Sequence, residues 1–260
     1  MNFVVTTSYN PSKELIEIAK KLATEYDVRY LNRNHLPKYL KKGLIDFYYV
    51  IDKKKMLSIK WRDGEFFFHQ GIAKIRMENI RHGERDYLIE SINPSENDVV
   101  YDATCGLGSD ALLIANYAKK VIATEGSVHI YRVVKWGLSN YVSEEEWINK
   151  SKEKIELLNE NYKDFIRKVE DRAFDVVYCD PMFENPIYES NSLNPLRSFA
   201  LYEPLTKDDL EEMLRISKKK VVIKTLKKDN LYKEIRKYFD EEYVSRKSGV
   251  VYGVINKVEV

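Results

Sequence analysis

Residues 97–110 read Asn-Asp-Val-Val-Tyr-Asp-Ala-Thr-Cys-Gly-Leu-Gly-Ser-Asp, and this stretch constrains the fold more than any other. Val99-Val100-Tyr101 is an apolar run of strand type that ends in Asp102. Gly106-Leu107-Gly108 follows as a tight turn, and Ala111 to Ala115 continues as a helix. A strand, a glycine turn and a helix N-terminus in direct succession bring backbone N–H groups to the carboxyl edge of a sheet, where a small ligand can approach closely.

The same alternation recurs downstream. Strand-like runs fall at residues 99–102, 121–125, 155–158, 174–179 and 219–224, with helical spacing at 110–117, 128–141, 163–169 and 207–216 between them. Continuous apolar strands separated by helices predict a parallel sheet covered on both faces. The tail breaks the pattern. Residues 241–245 and 250–258 are two strands with only Arg246–Gly249 between them, too few for a crossover helix, so they should pair antiparallel. The expectation is an α/β chain with a Rossmann-like sheet finished by an antiparallel C-terminal edge strand.

Residues 1–75 differ in kind. Strand signals at residues 3–6, 28–31 and 45–51 and a hairpin turned at Arg62-Asp63-Gly64 surround a helix opened by Pro11-Ser12. This predicts a small α+β module, followed by a larger domain over residues 76–260. Residues 1–76 hold 15 Lys+Arg against 8 Asp+Glu, whereas the remainder holds 28 against 33. A basic module on an acidic domain is what a polyanion-binding attachment would look like; a solvated lysine-rich surface has the same composition. The cluster Phe66-Phe67-Phe68 alternates poorly and is read as core of this module before base-stacking surface.

A charged fraction of 32% against 44% hydrophobic residues excludes disorder, and no apolar run reaches the length of a bilayer span. Two cysteines, Cys105 and Cys179, do not form a disulfide framework, and the four histidines lack ligand spacing. A cytoplasmic chain without a signal peptide, membrane segment or structural metal is expected.

Gly106-Leu107-Gly108-Ser109-Asp110-Ala111 fits the dinucleotide pattern G-x-G-x-x-A, which alone is a weak signal. Three features favour S-adenosylmethionine over a nicotinamide cofactor. Asp102, at the strand end, can bind a methionine ammonium and would repel a pyrophosphate. Asp110, at the helix start, suits the helix dipole and would likewise oppose a phosphate. The third is Asp180-Pro181-Met182-Phe183, which follows the apolar run 174–179 and has no part in hydride transfer. There the Asp180 carboxylate and the Pro181 carbonyl can each accept one N–H of a planar amine, and Phe183 can hold the ring plane by stacking. Glu125, closing the next strand, can accept ribose hydroxyls. Lys224 is a candidate phosphate or cofactor-side contact, or a solvated strand-end lysine. Both cysteines are read as small packing residues.

Together, Asp102-Ala103-Thr104-Cys105-Gly106-Leu107-Gly108-Ser109-Asp110 and Asp180-Pro181-Met182-Phe183 resemble the small-subunit ribosomal RNA guanine-N2 methyltransferase family and its bacterial relatives. The resemblance covers roughly residues 80–260. It implies a class I methyltransferase fold, S-adenosylmethionine as cofactor and an RNA guanine as acceptor. By position it also implies cofactor contacts at Ser109, Asp110, Glu125, Gly126, Asn161, Tyr162 and Asp180, beside Asp102, Gly106 and Gly108 from the residue chemistry. Ser109 and Gly126 stand where the family carries arginine, so contacts there would run through the backbone. Asp180, Pro181 and Phe183 are the expected catalytic group, and small-subunit RNA is the expected partner. The alternatives are a small-molecule or protein N-methyltransferase and a non-catalytic RNA-binding protein on a methyltransferase fold.

Overall fold

A computed structural model describes residues 1–182 and 194–257. They form two compact units. The smaller comprises Met1–His69 and Arg132–Val142, with residues 194–198; the larger comprises Gln70–Tyr131 with residues 143–182 and 199–257.

In the smaller unit, strands β1 (Phe3–Thr7), β2 (Phe47–Ile51), β3 (Leu57–Trp61) and β4 (Gly64–Phe67) form one sheet in that order. β1 and β2 are parallel, and the other neighbours antiparallel. Helix Lys13–Glu25 starts where Ser12 Oγ accepts the Leu15 N–H, and it buries Leu15, Ala19, Leu22 and Ala23, one face at helical spacing. The strand expected at 28–31 reduces to a single bridge between Val5 and Tyr30. Asp27 takes a left-handed φ of 54° before it and Asn32 caps a 3-10 turn after it, so few residues remain to pair. Phe66 and Phe68 are buried and Phe67 is half exposed, so the aromatic run is mainly core.

The larger unit carries β5 (Val99–Asp102), β6 (Lys120–Thr124), β7 (Ile155–Leu158), β8 (Phe174–Cys179), β9 (Ser217–Leu226), β10 (Glu241–Val244) and β11 (Val250–Asn256). Their order is β10-β11-β9-β8-β5-β6-β7. The five strands from β7 to β9 are parallel, and β11 runs antiparallel to both β9 and β10. β11 is therefore the reversed C-terminal strand, one place in from the edge, with β10 outside it. The fold is the α/β Rossmann-like sheet that the strand-helix alternation predicts. Tyr101, Val177, Val221, Ile223, Met213 and Ile216 belong to a buried cluster on this sheet. Helix Gly71–Arg81 ends before Gly83, whose φ is left-handed, and Tyr87–Ile92 restarts under an Asp86 cap. Helix Glu146–Glu153 lacks a clear sequence signal because it buries only Ile148 and Ser151. No helix among the described residues is long and apolar enough to cross a membrane.

Candidate active site

The chain leaves β5 for β6 on one side, while β8 pairs with β5 on the other. Strand order thus reverses at β5/β8, and the crevice beyond the two carboxyl ends is where open α/β sheets bind ligands. The loops that leave those ends are tied together. Ala103 N–H donates to the Tyr178 carbonyl at 2.9 Å, and Asp180 N–H donates to Thr104 Oγ1 at 2.7 Å.

The turn after β5 uses two left-handed glycines, Gly106 (φ 52°) and Gly108 (φ 77°). Side chains at those positions would be strained. Gly108 is the cap residue of helix Ser109–Tyr117. The Ser109 hydroxyl lies buried there without a hydrogen-bond partner among the described residues.

Asp102 is completely buried. Its Oδ1 accepts the Thr104 N–H at 3.1 Å, and its Oδ2 has no partner among the described residues. Burial, with Asp110 adding to it, pushes this carboxyl up to about 8. A buried carboxyl with one vacant acceptor beside a glycine turn is the kind of acceptor that a ligand ammonium requires. The residues therefore fit the methionine end of S-adenosylmethionine.

Glu125 follows β6 with both carboxylate oxygens facing backbone. Oε2 accepts from Gly106 N–H at 3.1 Å and Oε1 from Ser127 N–H at 2.8 Å. Burial outweighs these bonds and pushes Glu125 up to about 7. Glu125 thus supports the glycine turn directly, while each oxygen keeps a second lone pair for a hydroxyl. Gly126 lies against Leu201: a Cβ there would come within 2.7 Å of Leu201 Cδ1 and 3.5 Å of Asn161 Cα. Asn161 caps helix Tyr162–Lys168 through Lys163 N–H at 2.9 Å and donates its amide to Glu203 at 2.9 Å. The Tyr162 ring is buried, and its hydroxyl is unpartnered among the described residues.

Asp110 differs from its neighbours in what it faces. Its Oδ1 pairs with Arg76 Nη1, and its Oδ2 accepts the Tyr178 hydroxyl at 2.7 Å and meets Lys224 Nζ at 3.4 Å. Against the upward push of burial, Lys224 and Arg76 hold this carboxyl well below the usual range. Arg76 also grips Asp86 with two bonds of 2.7 and 2.8 Å. Lys224 continues the chain to Asp180, with Nζ 2.6 Å from Oδ2. Lys224, read from the sequence as a phosphate or cofactor-side contact or a solvated strand-end lysine, is the ion-pair partner of two acids. Arg76 has no place among the sequence candidates. Its signal was position: it shares a helix face with the buried Ala73 and Met77, where a cation needs a partner.

Asp180 and Pro181 lie at the crevice with Thr104, and Pro181 is buried. Phe183 lies outside the described residues. Cys105 and Cys179 are free and buried, and burial raises both thiols well above their ordinary values, so neither is an available nucleophile.

A family model described as "Putative SAM-dependent methyltransferase" matches residues 50–239. The chain is 31% identical to the protein YpiP of Bacillus subtilis over 97% of its own length and 98% of that protein. It is 30% identical to the ribosomal RNA small subunit methyltransferase J of Haemophilus influenzae over 55% of this chain and 56% of that one. The enzyme of the same name from Mannheimia succiniciproducens is 28% identical over 55% and 58%. These two alignments reach little more than half of either chain. A SAM-dependent methyltransferase from Neisseria gonorrhoeae superposes with a TM-score of 0.64 over 98% of this chain and 96% of its own, at 15% identity, a likeness of fold.

Proposed function

This chain belongs to the SAM-dependent methyltransferase family, and we propose that it methylates the exocyclic amine of an RNA base, guanine N2 of small-subunit ribosomal RNA first among them. One observation carries the reading. The cofactor-side loop and the acceptor motif are held by a direct hydrogen bond, Asp180 N–H to Thr104 Oγ1, at 2.7 Å. The partial similarity to ribosomal RNA small subunit methyltransferases J supports RNA as the acceptor.

S-adenosylmethionine supplies an electrophilic methyl on a sulfonium, whose C–S bonding pair stays with sulfur when the methyl moves to nitrogen. The residues supply position and charge. Asp102 takes the ammonium, and the Gly106–Gly108 turn lets the backbone approach. Asp180 and the Pro181 carbonyl accept the two amine N–H groups, which draws the nitrogen towards tetrahedral geometry and localises its lone pair towards the methyl. As positive charge develops on nitrogen, the Asp180 carboxylate stabilises it and receives the released proton. Phe183 is assigned the stacking face. The target base must be unpaired or flipped to reach this corner. Residues 1–75, with their basic excess, would hold RNA backbone.

Mass spectrometry of ribosomal RNA from cells with and without the gene tests the proposal. Loss of one N2-methylguanosine is expected, with transfer restored by the purified protein and weakened steeply by salt. Transfer that is indifferent to ribonuclease and salt, with label in a metabolite or protein fraction, would overturn the RNA assignment.

A further inference from the structure

We propose that Lys224 is a positioning residue for methyl transfer: it pins one oxygen of Asp180 and leaves the other to receive the acceptor amine. The proposal rests on the reading of Asp180 given above. Lys224 projects from β9, the strand next to β8, and sits in register with Tyr252 of β11. Its Nζ is 2.6 Å from Asp180 Oδ2 and 3.4 Å from Asp110 Oδ2. Its side chain is only 17% exposed, so the ammonium is held among these groups and is not a solvated surface charge. Asp180 meets Lys224 through Oδ2, and its side chain keeps 25% exposure. The carboxylate is thus fixed on one side and open on the other.

The geometry answers a chemical difficulty. Asp180 can stabilise the developing positive charge and take the amine proton only while ionised, yet it lies near two other acids. Among the described residues, the charged and titratable groups facing it are Lys224 from β9, Asp110 from helix Ser109–Tyr117, Arg76 from helix Gly71–Arg81, Asp102 from β5, Tyr178 and Cys179 from β8 and Tyr252 from β11. Burial and Asp110 work against ionisation, and Lys224 is the largest opposing influence. Arg76 neutralises Asp110 from the far side, which keeps Lys224 available to both acids. Removing the ammonium would leave Asp180 partly buried beside Asp110 with its carboxyl free to rotate and to hold a proton. The proton taken from the amine then has no ionised oxygen to receive it.

The test joins a titration with turnover. Carboxyl-¹³C aspartate labelling follows the Asp180 midpoint in the protein by NMR, with the resonance assigned from its loss in Asp180→Asn. In Lys224→Met the midpoint should rise by about one pH unit or more. The acid limb of methyl transfer to ribosomal RNA from cells lacking the gene should move up with it, and turnover at neutral pH should fall ~10²-fold. Calorimetric S-adenosylmethionine affinity should change less than about tenfold. Lys224→Arg should keep the acid limb in place with a smaller loss of turnover, since charge is retained and geometry altered. An unmoved Asp180 midpoint, or an unmoved acid limb with affinity carrying the whole loss, overturns the proposal. Should Lys224→Met fail to fold, Lys224→Arg decides, because full turnover with weakened cofactor binding contradicts a role exerted through Asp180. Absence of RNA methylation by the unaltered protein would instead defeat the reading of function, while the titration still reports the Lys224–Asp180 coupling.

Discussion

Thr104 Oγ1 accepts the backbone N–H of Asp180 at 2.7 Å across 76 residues of sequence. One side chain thereby joins the backbone bond from Ala103 to Tyr178 in setting the spacing between the loop after β5 and the loop after β8. Thr104→Val removes the acceptor and keeps the shape, leaving a part-buried N–H unpaired at a cost of about 1–3 kcal/mol. Turnover should fall more than S-adenosylmethionine affinity, and Thr104→Ser should recover most of the loss. Equal turnover in Thr104→Val and the parent would show that the bond does not govern alignment.

Asp180→Ala should still bind S-adenosylmethionine and lose ~10²–10⁴-fold in turnover, the range for removing a positioned acid-base group. Calorimetry and methyl transfer on the same preparation check it. Unchanged transfer would remove Asp180 from the mechanism.

Asp102 carries a pH signature. Its carboxyl lies at about 8, above the ordinary value of 3.8, so the folded state binds this proton more tightly than the unfolded chain does. The resulting stability is fully present below about pH 4 and is lost as pH rises towards 8. Asp102→Asn cannot ionise. Its melting temperature should exceed the parent's by more at pH 8 than at pH 5, without cofactor, while S-adenosylmethionine binding collapses. A gap independent of pH would refute the assignment.

Arg76 anchors the opposite sign of effect. Asp110 is held well below the usual carboxylate range by Lys224 and Arg76 against burial, so its contribution is present above about pH 4 and lost on acidification. Arg76→Met leaves Asp110 and Asp86 without their shared cation. Urea unfolding should show a loss on the order of 3 kcal/mol at pH 7, shrinking as pH falls below 4. A loss constant with pH would point to packing.

Two glycines of the site should behave differently. Gly108 has a φ of 77°, so Gly108→Ala should cost about 1 kcal/mol and weaken cofactor binding at least tenfold. Gly126 is not left-handed, and an added Cβ would meet the movable end of Leu201 at 2.7 Å. Gly126→Ala should cost well under 1 kcal/mol in denaturation. Similar losses from both would contradict the backbone argument.

Much of this architecture is legible in the sequence. The five parallel strands declared themselves as apolar runs with helices between, because a strand buried on both faces has no polar alternation. The Asp102–Asp110 and Asp180–Pro181 corners are readable as strand ends, whereas the switch point between them comes from the strand order. Less legible was the end of the sheet. Glu241–Val244 and Val250–Asn256 were readable as an antiparallel pair, but their local spacing is the same whichever strand lies next to β9.

The sequence by itself determined the repeating strand–loop–helix pattern and the two ligand-facing corners, since periodicity and turn chemistry act over a few residues. Only the tertiary structure decided that Arg76, Asp110, Lys224 and Asp180 form one chain of charges. Those partners stand 34, 114 and 44 residues apart, and burial makes their pairing obligatory only after packing has brought them together.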